Sequence, residues 1–407
     1  MRISCTSVLN KSTTKYLQNY AEPESKCFRL NELNNYDALL VIPAYMETPD
    51  FLIRLQQQTF AGIRRLLLIL VSNHPSGLSD SAQQAAHKSH DNLINRLPAE
   101  LWKEKNLSFF PGTNLDVLLV NRIAQHLISK KQGVGLARKI GADIALSLIA
   151  KKKSHTHWIF NTDADAHLPT DYFEAAKVDD LGIAALLYPF THIGLDDNVL
   201  NATKLYEKRL EGYVKGLKAA GSPYAFHTLG STLCISADAY AKARGFPKRP
   251  AGEDFYLLSK VAKLGTIHSL TVPVIQIEAR CSTRIPFGTG PAVMSLMESK
   301  DLLDEEIFYH PELFTALGEF IDALESRVTK STLGKLPIEL QQAANHINID
   351  SLFAHIASQH VSEERYLENV HIWFDGFRTL KFVHFLRDNY YPNLKHQALR
   401  ENPANRK

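Results

Sequence analysis

The sequence predicts an α/β fold, with a mostly parallel sheet between layers of helices, followed by a helical C-terminal domain. Short continuous apolar runs recur along the first part of the chain, and such runs are typical of strands buried on both faces of a parallel sheet. Segments with helical spacing separate these runs, as they do in βαβ units. Beyond about residue 297 the strand-like runs stop, and helical patterns continue to about residue 393.

Each element is predicted from its own stretch of sequence. Strands are predicted where apolar residues run together, at 38–42, 66–71, 107–110, 158–160, 183–188 and 232–236. Helices are predicted where apolar residues recur at helical spacing, at 50–61, 79–96, 133–150, 198–219, 238–243 and 252–264. The 407 residues are more than one compact core usually spans. We therefore expect an N-terminal extension at 1–36, an α/β domain at 37–296, a helical domain at 297–395 and a frayed tail at 396–407.

Composition excludes several classes of protein. The net charge of +3 is small, and no basic stripe with interleaved aromatic residues is present, which argues against nucleic-acid binding. The four cysteines form no CxxC pair, a pattern typical of a reducing compartment. No apolar run reaches the length of a signal peptide or a membrane span. We expect a cytoplasmic protein without a transmembrane segment, and contact with a membrane surface stays open.

Two aspartates follow the strand predicted at 158–160, within the segment Asn161-Thr-Asp-Ala-Asp-Ala-His167. Ligands of open α/β sheets bind beyond the carboxyl ends of the strands, which is where Asp163 and Asp165 are expected. Their hard oxygen atoms suit Mg²⁺ or Mn²⁺, and such an ion would bridge a diphosphate. The alternative is that these aspartates only cap a following helix.

A second acidic pair, Glu253 and Asp254, opens the helix predicted at 252–264. The helix dipole favours acidic residues at this position, which is the purely structural explanation. The functional explanation is that one of the two carboxylates acts as a general base on an acceptor hydroxyl.

Three further segments carry residues suited to a ligand pocket. In Val41-Ile-Pro-Ala-Tyr-Met-Glu47, Tyr45 could stack on a base and Glu47 could lie near a ribose. In Gln132-Gly-Val-Gly-Leu-Ala-Arg138, the glycines permit close backbone approach and Arg138 could pair with phosphate. Segment 279–290 is rich in Ser, Thr, Gly and Pro, and its Arg284 could close over a diphosphate or lie in a simple linker. His268 is a candidate third metal ligand beside Asp165.

The order of these motifs resembles the family 2 glycosyltransferases and their GT-A relatives over about residues 37–275. The motifs that carry the resemblance are Val-Ile-Pro-Ala-Tyr-Met-Glu, Gly-Val-Gly-Leu-Ala-Arg-Lys, Asn-Thr-Asp-Ala-Asp-Ala, Leu-Gly-Ser-Thr-Leu-Cys-Ile-Ser, Ala-Arg-Gly-Phe-Pro and Gly-Glu-Asp-Phe. The resemblance implies a metal-dependent transferase that moves a sugar from a nucleotide-sugar donor to an acceptor hydroxyl with inversion.

Roles follow from the resemblance for most positions, and from the residues themselves for Asn73, Arg284 and His268. The predicted donor-binding residues are Pro43, Tyr45, Glu47, Asn73, Arg138, Asp163 and Arg284. The predicted ligands of Mn²⁺ or Mg²⁺ are Asp165, Asp163 and His268. The resemblance places Gly230 and Ser231 beneath the acceptor. It makes Asp254 the catalytic base, with Glu253 as the alternative.

The chain also departs from the family. Asn73 stands near the position where the family often has an Asp that contacts the base, and the Gln-x-x-Arg-Trp signature of processive synthases is absent. The alternatives are a retaining enzyme similar to mannosylglycerate synthase, a sugar nucleotidyltransferase, and a sugar-binding scaffold on a decayed transferase fold. The sequence leaves three classes of acceptor: a small molecule, a glycan and a lipid-linked glycan.

Overall fold

The computed structural model describes residues 11–124, 126–178, 182–282, 284, 288–299, 301–357 and 362–395. These residues belong to two compact units. The first unit takes its described residues from 1–193, 228–278 and 284–288, and the second takes them from 194–227, 279–283 and 289–407. The predicted tail at 396–407 lies outside the described residues.

The first unit is built on a large sheet. Its strands are β1 (Ala38–Ala44), β2 (Leu66–Asn73), β3 (Trp102–Glu104), β4 (Leu107–Phe110), β5 (Leu115–Arg122), β6 (Trp158–Asn161), β7 (Ala166–His167), β8 (Ile183–Leu187), β9 (Phe190–Ile193), β10 (Leu233–Ser236), β11 (Thr266–Ser269) and β12 (Ile275–Glu278). Within the described residues they form a nine-stranded sheet, β11-β8-β10-β6-β1-β2-β5-β4-β3, and a three-stranded sheet, β7-β12-β9. In the large sheet, β4 and β10 run against the other strands. The predicted α/β class with a mostly parallel sheet is confirmed.

Helices accompany the sheet and make up the second unit. The first unit contains α1 (Lys11–Asn19), α2 (Asp50–Gln57), α3 (Asp80–Ile94), α4 (Gly133–Ala150), α6 (Ala237–Lys242) and α7 (Glu253–Val261). The second contains α5 (Asp197–Ala219), α8 (Thr289–Met297), α9 (Pro311–Glu325), α10 (Lys330–Leu333), α11 (Ile338–His346), α12 (Asp350–Ala357), α13 (Glu363–Trp373) and α14 (Gly376–Asn389). In the described part of the chain, no helix combines the length and the apolar character needed to cross a membrane.

Strand β1 lies inside the large sheet, and every one of its residues is buried. It pairs in parallel with β2 on one side, from Ala38 opposite Leu66 to Ala44 opposite Ser72, and with β6 on the other side. The chain first adds β2 and β5 on one side of β1 and later adds β6 on the other. The strand order therefore reverses between β1 and β6, and ligands of open α/β sheets bind outside the carboxyl ends of the strands at such a reversal.

Helices pack on both faces of β1. Phe51 of α2 shares a buried apolar cluster with Leu40 and Ile42 of β1. On the opposite face, α4 approaches so closely that a Cβ on Gly141 would come within 2.4 Å of Val41 Cγ1. The missing side chain at Gly141 thus fixes how near α4, which carries Arg138, can lie to the sheet.

The core of the second unit combines α5 with the C-terminal helices. Leu217 of α5 belongs to a buried cluster with Leu317 of α9 and Phe382 of α14. The sequence-based boundaries placed residues 37–296 in the α/β domain, whereas residues 194–227 group with the C-terminal helices in the structure. Amphipathic spacing identifies a helix, but it does not say which core receives the apolar face.

Candidate functional site at the reversal of strand order

The two aspartates predicted to bind metal lie in the turn after β6. The Thr162 amide donates to the Val41 carbonyl at 3.1 Å, and the Thr162 hydroxyl donates to the Ser231 carbonyl at 2.9 Å. These bonds tie the turn to β1 on one side of β6 and to the segment leading into β10 on the other. Asp163 and Asp165 are half-buried. The turn therefore holds both carboxylates where the strand order reverses and leaves them partly open to solvent.

Arg138 of α4 joins the two acidic pairs. Its side chain is only 4% exposed, its Nε donates to Glu253 Oε1 at 2.8 Å, and its Nη2 donates to Asp163 Oδ1 at 2.7 Å. Burial by itself would lower the pKa of Arg138, but Asp163 and Glu253 outweigh burial and hold that pKa above its ordinary value. The sequence prediction placed Arg138 against the nucleotide, whereas in the structure its guanidinium is bonded to protein carboxylates.

Gly230 packs against the face of that guanidinium. A Cβ at this position would lie 2.5 Å from Arg138 Nη2 and 2.6 Å from Arg138 Cζ, so any side chain would displace the arginine. The Gly230 amide also donates to the Asp254 carboxylate. Gly230 and Ser231 are both buried in a 3-10 turn that leads into β10. Gly230 thus lies beside the acidic pair of α7, and Ser231 is the next residue of the chain.

The second acidic pair opens α7 and is divided between two environments. Gly252 before it has a φ of 69°, in the left-handed region that favours glycine. Glu253 is buried against Arg138, while Asp254 is half-buried and accepts from the Phe255 amide at 2.7 Å. Burial and then repulsion from Glu253 raise the pKa of Asp254 to about 7, although Arg138 acts to lower it. Asp254 is therefore a carboxyl group that titrates near neutral pH.

The residues predicted for the nucleoside pocket lie at the end of β1 and just after it, where one backbone φ is positive. Pro43 is buried within β1, and Met46, between Tyr45 and Glu47, has a φ of 54° that residues other than glycine rarely adopt. Arg284 Nη1 donates to the Tyr45 carbonyl at 2.6 Å and also to the Glu47 carboxylate. The structure thus brings three of the predicted donor-binding residues, Tyr45, Glu47 and Arg284, into direct contact.

The other two predicted ligand-binding residues lie in different places. Asn73 ends β2, next to β1, and is buried with 6% exposure. His268 is exposed in β11, and β8 and β10 separate that strand from β6. Three inter-strand spacings amount to roughly 14 Å. The structure therefore does not bring His268 to Asp165, because His268 lies on an outer strand of the sheet.

The carboxylates near β6 could hold a metal ion whose remaining ligands come from a bound substrate. In the described residues, no cluster of three or more His, Cys, Asp and Glu side chains is arranged to hold a metal by itself. Asp165 and the second oxygen of Asp163 are the candidate ligands, since Asp163 Oδ1 is bonded to Arg138. Mg²⁺ in proteins is commonly bound by one or two carboxylates together with substrate phosphates and water. The chemistry of these residues therefore fits Mg²⁺ or Mn²⁺ bound with a diphosphate.

Sequence reasoning missed two residues that support the aspartate turn. The Glu278 amide of β12 donates to the Asp165 carbonyl at 2.9 Å, and Glu278 Oε1 lies 2.8 Å from His167 Nε2. Arg54 of α2 donates to Glu278 Oε1 at 3.2 Å and to the Ala164 carbonyl at 3.0 Å. Glu278 lies far along the chain from the turn, and neither residue belongs to a motif, so the sequence carried no signal for them.

No family model and no curated protein matches the chain. Among solved structures, S. aureus TarS 1-349 in complex with UDP-GlcNAc is similar at a TM-score of 0.34 and 13% identity, over 83% of this chain and 89% of that chain. GalNAc-T7 with UDP, GalNAc and Mn²⁺ is similar at a TM-score of 0.34 and 12% identity, over 86% of this chain and 66% of that chain. Likenesses at this level do not assign an activity to this chain.

Proposed function

We propose that the chain is a GT-A glycosyltransferase that moves a sugar from a nucleotide-sugar donor to an acceptor hydroxyl with inversion of configuration. The observation that carries this proposal is the position of Arg138, which joins Asp163 after β6 to Glu253 at the start of α7. The arginine thereby links the aspartate pair proposed to bind metal, Asp163 and Asp165, to the start of α7, where the pKa of the Asp254 carboxyl group is near neutrality. Transfer between two bound substrates needs such fixed proximity.

Donor binding is proposed at the carboxyl ends of β1, β2 and β6. Tyr45 offers a ring for the base, Glu47 a carboxylate for the ribose, and Asn73 a buried amide at the end of β2. Three carboxylates, those of Asp163, Glu253 and Asp254, surround the one buried guanidinium of Arg138 and leave an excess of negative charge, which favours a divalent cation. Mn²⁺ or Mg²⁺ held by Asp165 and Asp163 would supply positive charge to the leaving diphosphate.

Asp254 is the proposed general base. Its raised pKa makes it a better proton acceptor than an ordinary aspartate, while it is still ionised in part at neutral pH. The Phe255 and Gly230 amides orient its carboxylate toward an acceptor resting near Gly230 and Ser231. Glu253 is a poorer candidate because its side chain is 5% exposed and already bonded to Arg138.

The acceptor is proposed to be a small molecule, a glycan or a lipid-linked glycan. Among the described residues, Cys27, Cys234 and Cys281 are free thiols. Free thiols are typical of a reducing compartment, so we propose a cytoplasmic enzyme in which peripheral contact with a membrane is compatible with a lipid-linked acceptor.

The proposal is tested by incubating the protein with a panel of UDP-, GDP-, TDP- and CMP-sugars in Mn²⁺, Mg²⁺ or EDTA and measuring the released nucleotide. We expect release from one nucleotide class only, and loss of release in EDTA. In Asp165→Asn the shape of the side chain stays while a ligand charge is lost. We expect this variant to slow release by on the order of 10²-fold or more, with an unchanged melting temperature.

The matched control is Asp171→Asn, which makes the same chemical change at an exposed carboxylate a few residues after the turn. This control should release nucleotide at the wild-type rate. Wild-type protein that releases nucleotide from none of the sugars contradicts the proposed transferase. Asp165→Asn at the wild-type rate contradicts only the metal assignment.

A further inference from the structure

A buried polar network links α4 to the N-terminal segment, defined here as residues 11–26. At its centre is the Asp143 carboxylate of α4, which is fully buried. Asp143 Oδ1 accepts from the Tyr16 hydroxyl at 2.6 Å and from the Tyr240 hydroxyl at 2.8 Å. Asp143 Oδ2 accepts from Lys139 Nζ at 2.8 Å and from the Glu22 amide at 2.7 Å. Four donors from three parts of the chain therefore fix one carboxylate.

The N-terminal segment also contacts the loop of residues 243–252, which leads into α7. A Cβ on Gly245, whose φ is 69°, would lie 2.2 Å from the Tyr16 hydroxyl oxygen, so this hydroxyl rests directly on the loop. Glu22 Oε1 lies 2.7 Å from Lys248 Nζ, and the Arg244 guanidinium lies over the ring of Tyr20. One short segment thus holds both α4 and the loop.

These two elements carry the residues that meet at the centre of the site. Arg138 precedes Lys139 on α4, and Glu253 directly follows the loop. The elements also touch directly, since the Gly135 amide donates to the Arg249 carbonyl at 3.0 Å. Apolar contacts tolerate sliding, whereas a buried carboxylate with four donors loses hydrogen bonds as soon as one element shifts. The geometry of the pair between Arg138 and Glu253 therefore depends on this network.

We infer that the N-terminal segment is a positioning element of the candidate site, with Tyr16 as its central positioning residue. Tyr16 acts through α4 and the loop of residues 243–252, because its hydroxyl bonds to Asp143 and Lys139 and rests on Gly245. The inference rests on the proposed function, because that function gives the pair between Arg138 and Glu253 a role in sugar transfer.

The first test is Tyr16→Phe, which removes one oxygen atom and keeps the ring. Two-dimensional NMR of arginine side chains follows the Arg138 Nε–H hydrogen, assigned by its absence in Arg138→Lys. We expect this hydrogen, which is donated to Glu253 in the buried pair, to exchange with solvent about tenfold faster in Tyr16→Phe. In transfer assays kcat should fall about tenfold while KM for the donor stays unchanged. The matched control Tyr20→Phe, at a ring that is 38% exposed, should leave both quantities unchanged.

A second variant keeps the test decisive if Tyr16→Phe folds poorly. Lys248→Met removes the link to Glu22 from the exposed side of the network, and the same two changes are expected in smaller measure. A lower melting temperature together with wild-type exchange and wild-type kcat in both variants overturns the inference, because the network would then only stabilise the fold. If wild-type protein turns over no nucleotide sugar, the proposed function fails, while the exchange of Arg138 Nε–H still decides whether the network positions the pair.

Discussion

At the scale of single residues, the start of α7 gives two adjacent carboxylates different partners. Neighbouring helix residues point about 100° apart, so Glu253 and Asp254 cannot face the same group. Glu253 meets Arg138, which lies 115 residues earlier in the chain, and Asp254 meets the Gly230 amide. The sequence predicted the acidic pair from its position at a helix start. It could not predict the division, because that division depends on residues brought together only by the fold.

Replacing Asp254 tests the proposed role of this residue as the general base. Asp254→Asn removes the proton acceptor and should lower kcat by about 10²–10⁴-fold, with little change in KM for the donor. In the wild type, the rate should rise with pH through about 7, because only the ionised carboxylate accepts a proton. Steady-state kinetics of donor and acceptor from pH 5 to 9 measure both effects.

The companion variant Glu253→Gln should keep a larger fraction of kcat than Asp254→Asn. Near-normal turnover in Asp254→Asn would contradict the inverting mechanism. It would favour a retaining enzyme, which needs no protein base at this position, or Glu253 as the base.

Asp254 should also make stability depend on pH. Its pKa is raised from 3.8 to about 7, so the folded protein binds this proton more tightly than the unfolded chain does. The stabilising contribution is complete below the unfolded pKa and is lost as pH rises through about 7. Asp254→Asn mimics the neutral form, and at pH 8 it should melt about 2 °C or more above wild type, with little difference at pH 4. Calorimetry at the two pH values measures this, and a lower melting temperature for the variant at pH 8 contradicts the raised pKa.

At the scale of elements, apolar runs predicted the central strands and α4 well. The strand predicted at 38–42 is β1 (Ala38–Ala44), and the helix predicted at 133–150 is α4 (Gly133–Ala150). Strand β5 (Leu115–Arg122) was missed because Asp116 interrupts its apolar run. Asp116 is fully buried, and the Tyr36 hydroxyl and Arg65 lie at 3.0 and 3.4 Å from it. These partners come from distant parts of the chain, so the sequence alone does not reveal why a charge is tolerated there.

The site residues show the same limit of prediction from sequence, since partners from distant parts of the chain cannot be identified. Asp163 and Glu253 stood out because each lies beside a recognisable strand end or helix start. His268 was attractive only as a histidine late in the chain, and it lies in a largely exposed strand away from β6. Local pattern therefore locates residues on elements, whereas the order of strands in the sheet decides which of them meet.

The contact between α4 and the loop before α7 predicts a sharp cost for one added methyl group. A Cβ on Gly135 would lie 2.3 Å from the Pro247 carbonyl oxygen and 2.7 Å from the Arg249 amide nitrogen, both backbone atoms. We expect Gly135→Ala to lower the free energy of unfolding by about 1–3 kcal/mol, as overpacking does, and to lower kcat as well. Denaturant unfolding and transfer assays measure these changes.

The control for that experiment is Gly212→Ala in α5, where nothing lies within 4 Å of the added Cβ. Alanine is the better helix former, so this variant should gain about 0.5–1 kcal/mol. Equal stability of the two alanine variants would contradict the tight contact at Gly135.

At the scale of the whole molecule, the two units are not consecutive in sequence. The chain leaves the first unit after residue 193 and returns to it at residue 228. The intervening residues belong to the second unit. Leu217 of α5 is buried with Leu313, Phe320 and Phe382 of the C-terminal helices. A cut at the boundary predicted from sequence would therefore divide a core.

Truncation after residue 296 tests this organisation. The shortened chain retains α5 but loses helices α9 to α14, so the apolar face of α5 is exposed to water. We expect this fragment to be recovered in the insoluble fraction, while a chain ending at residue 395 remains soluble with the melting temperature of the full chain. A soluble fragment 1–296 that melts like the full protein would contradict the division into these units.

The contact between Tyr16 and Gly245 also sets an order of events during synthesis. Tyr16 is translated well before the loop on which its hydroxyl rests, which follows roughly 230 residues later. At about 5–20 residues per second, the N-terminal segment waits on the order of ten seconds or more for its partner. During that time α5, which packs in the core of the second unit, is also translated. The site can therefore be completed only after this loop has been translated, and until then chaperones or proteases can reach the segment of residues 11–26.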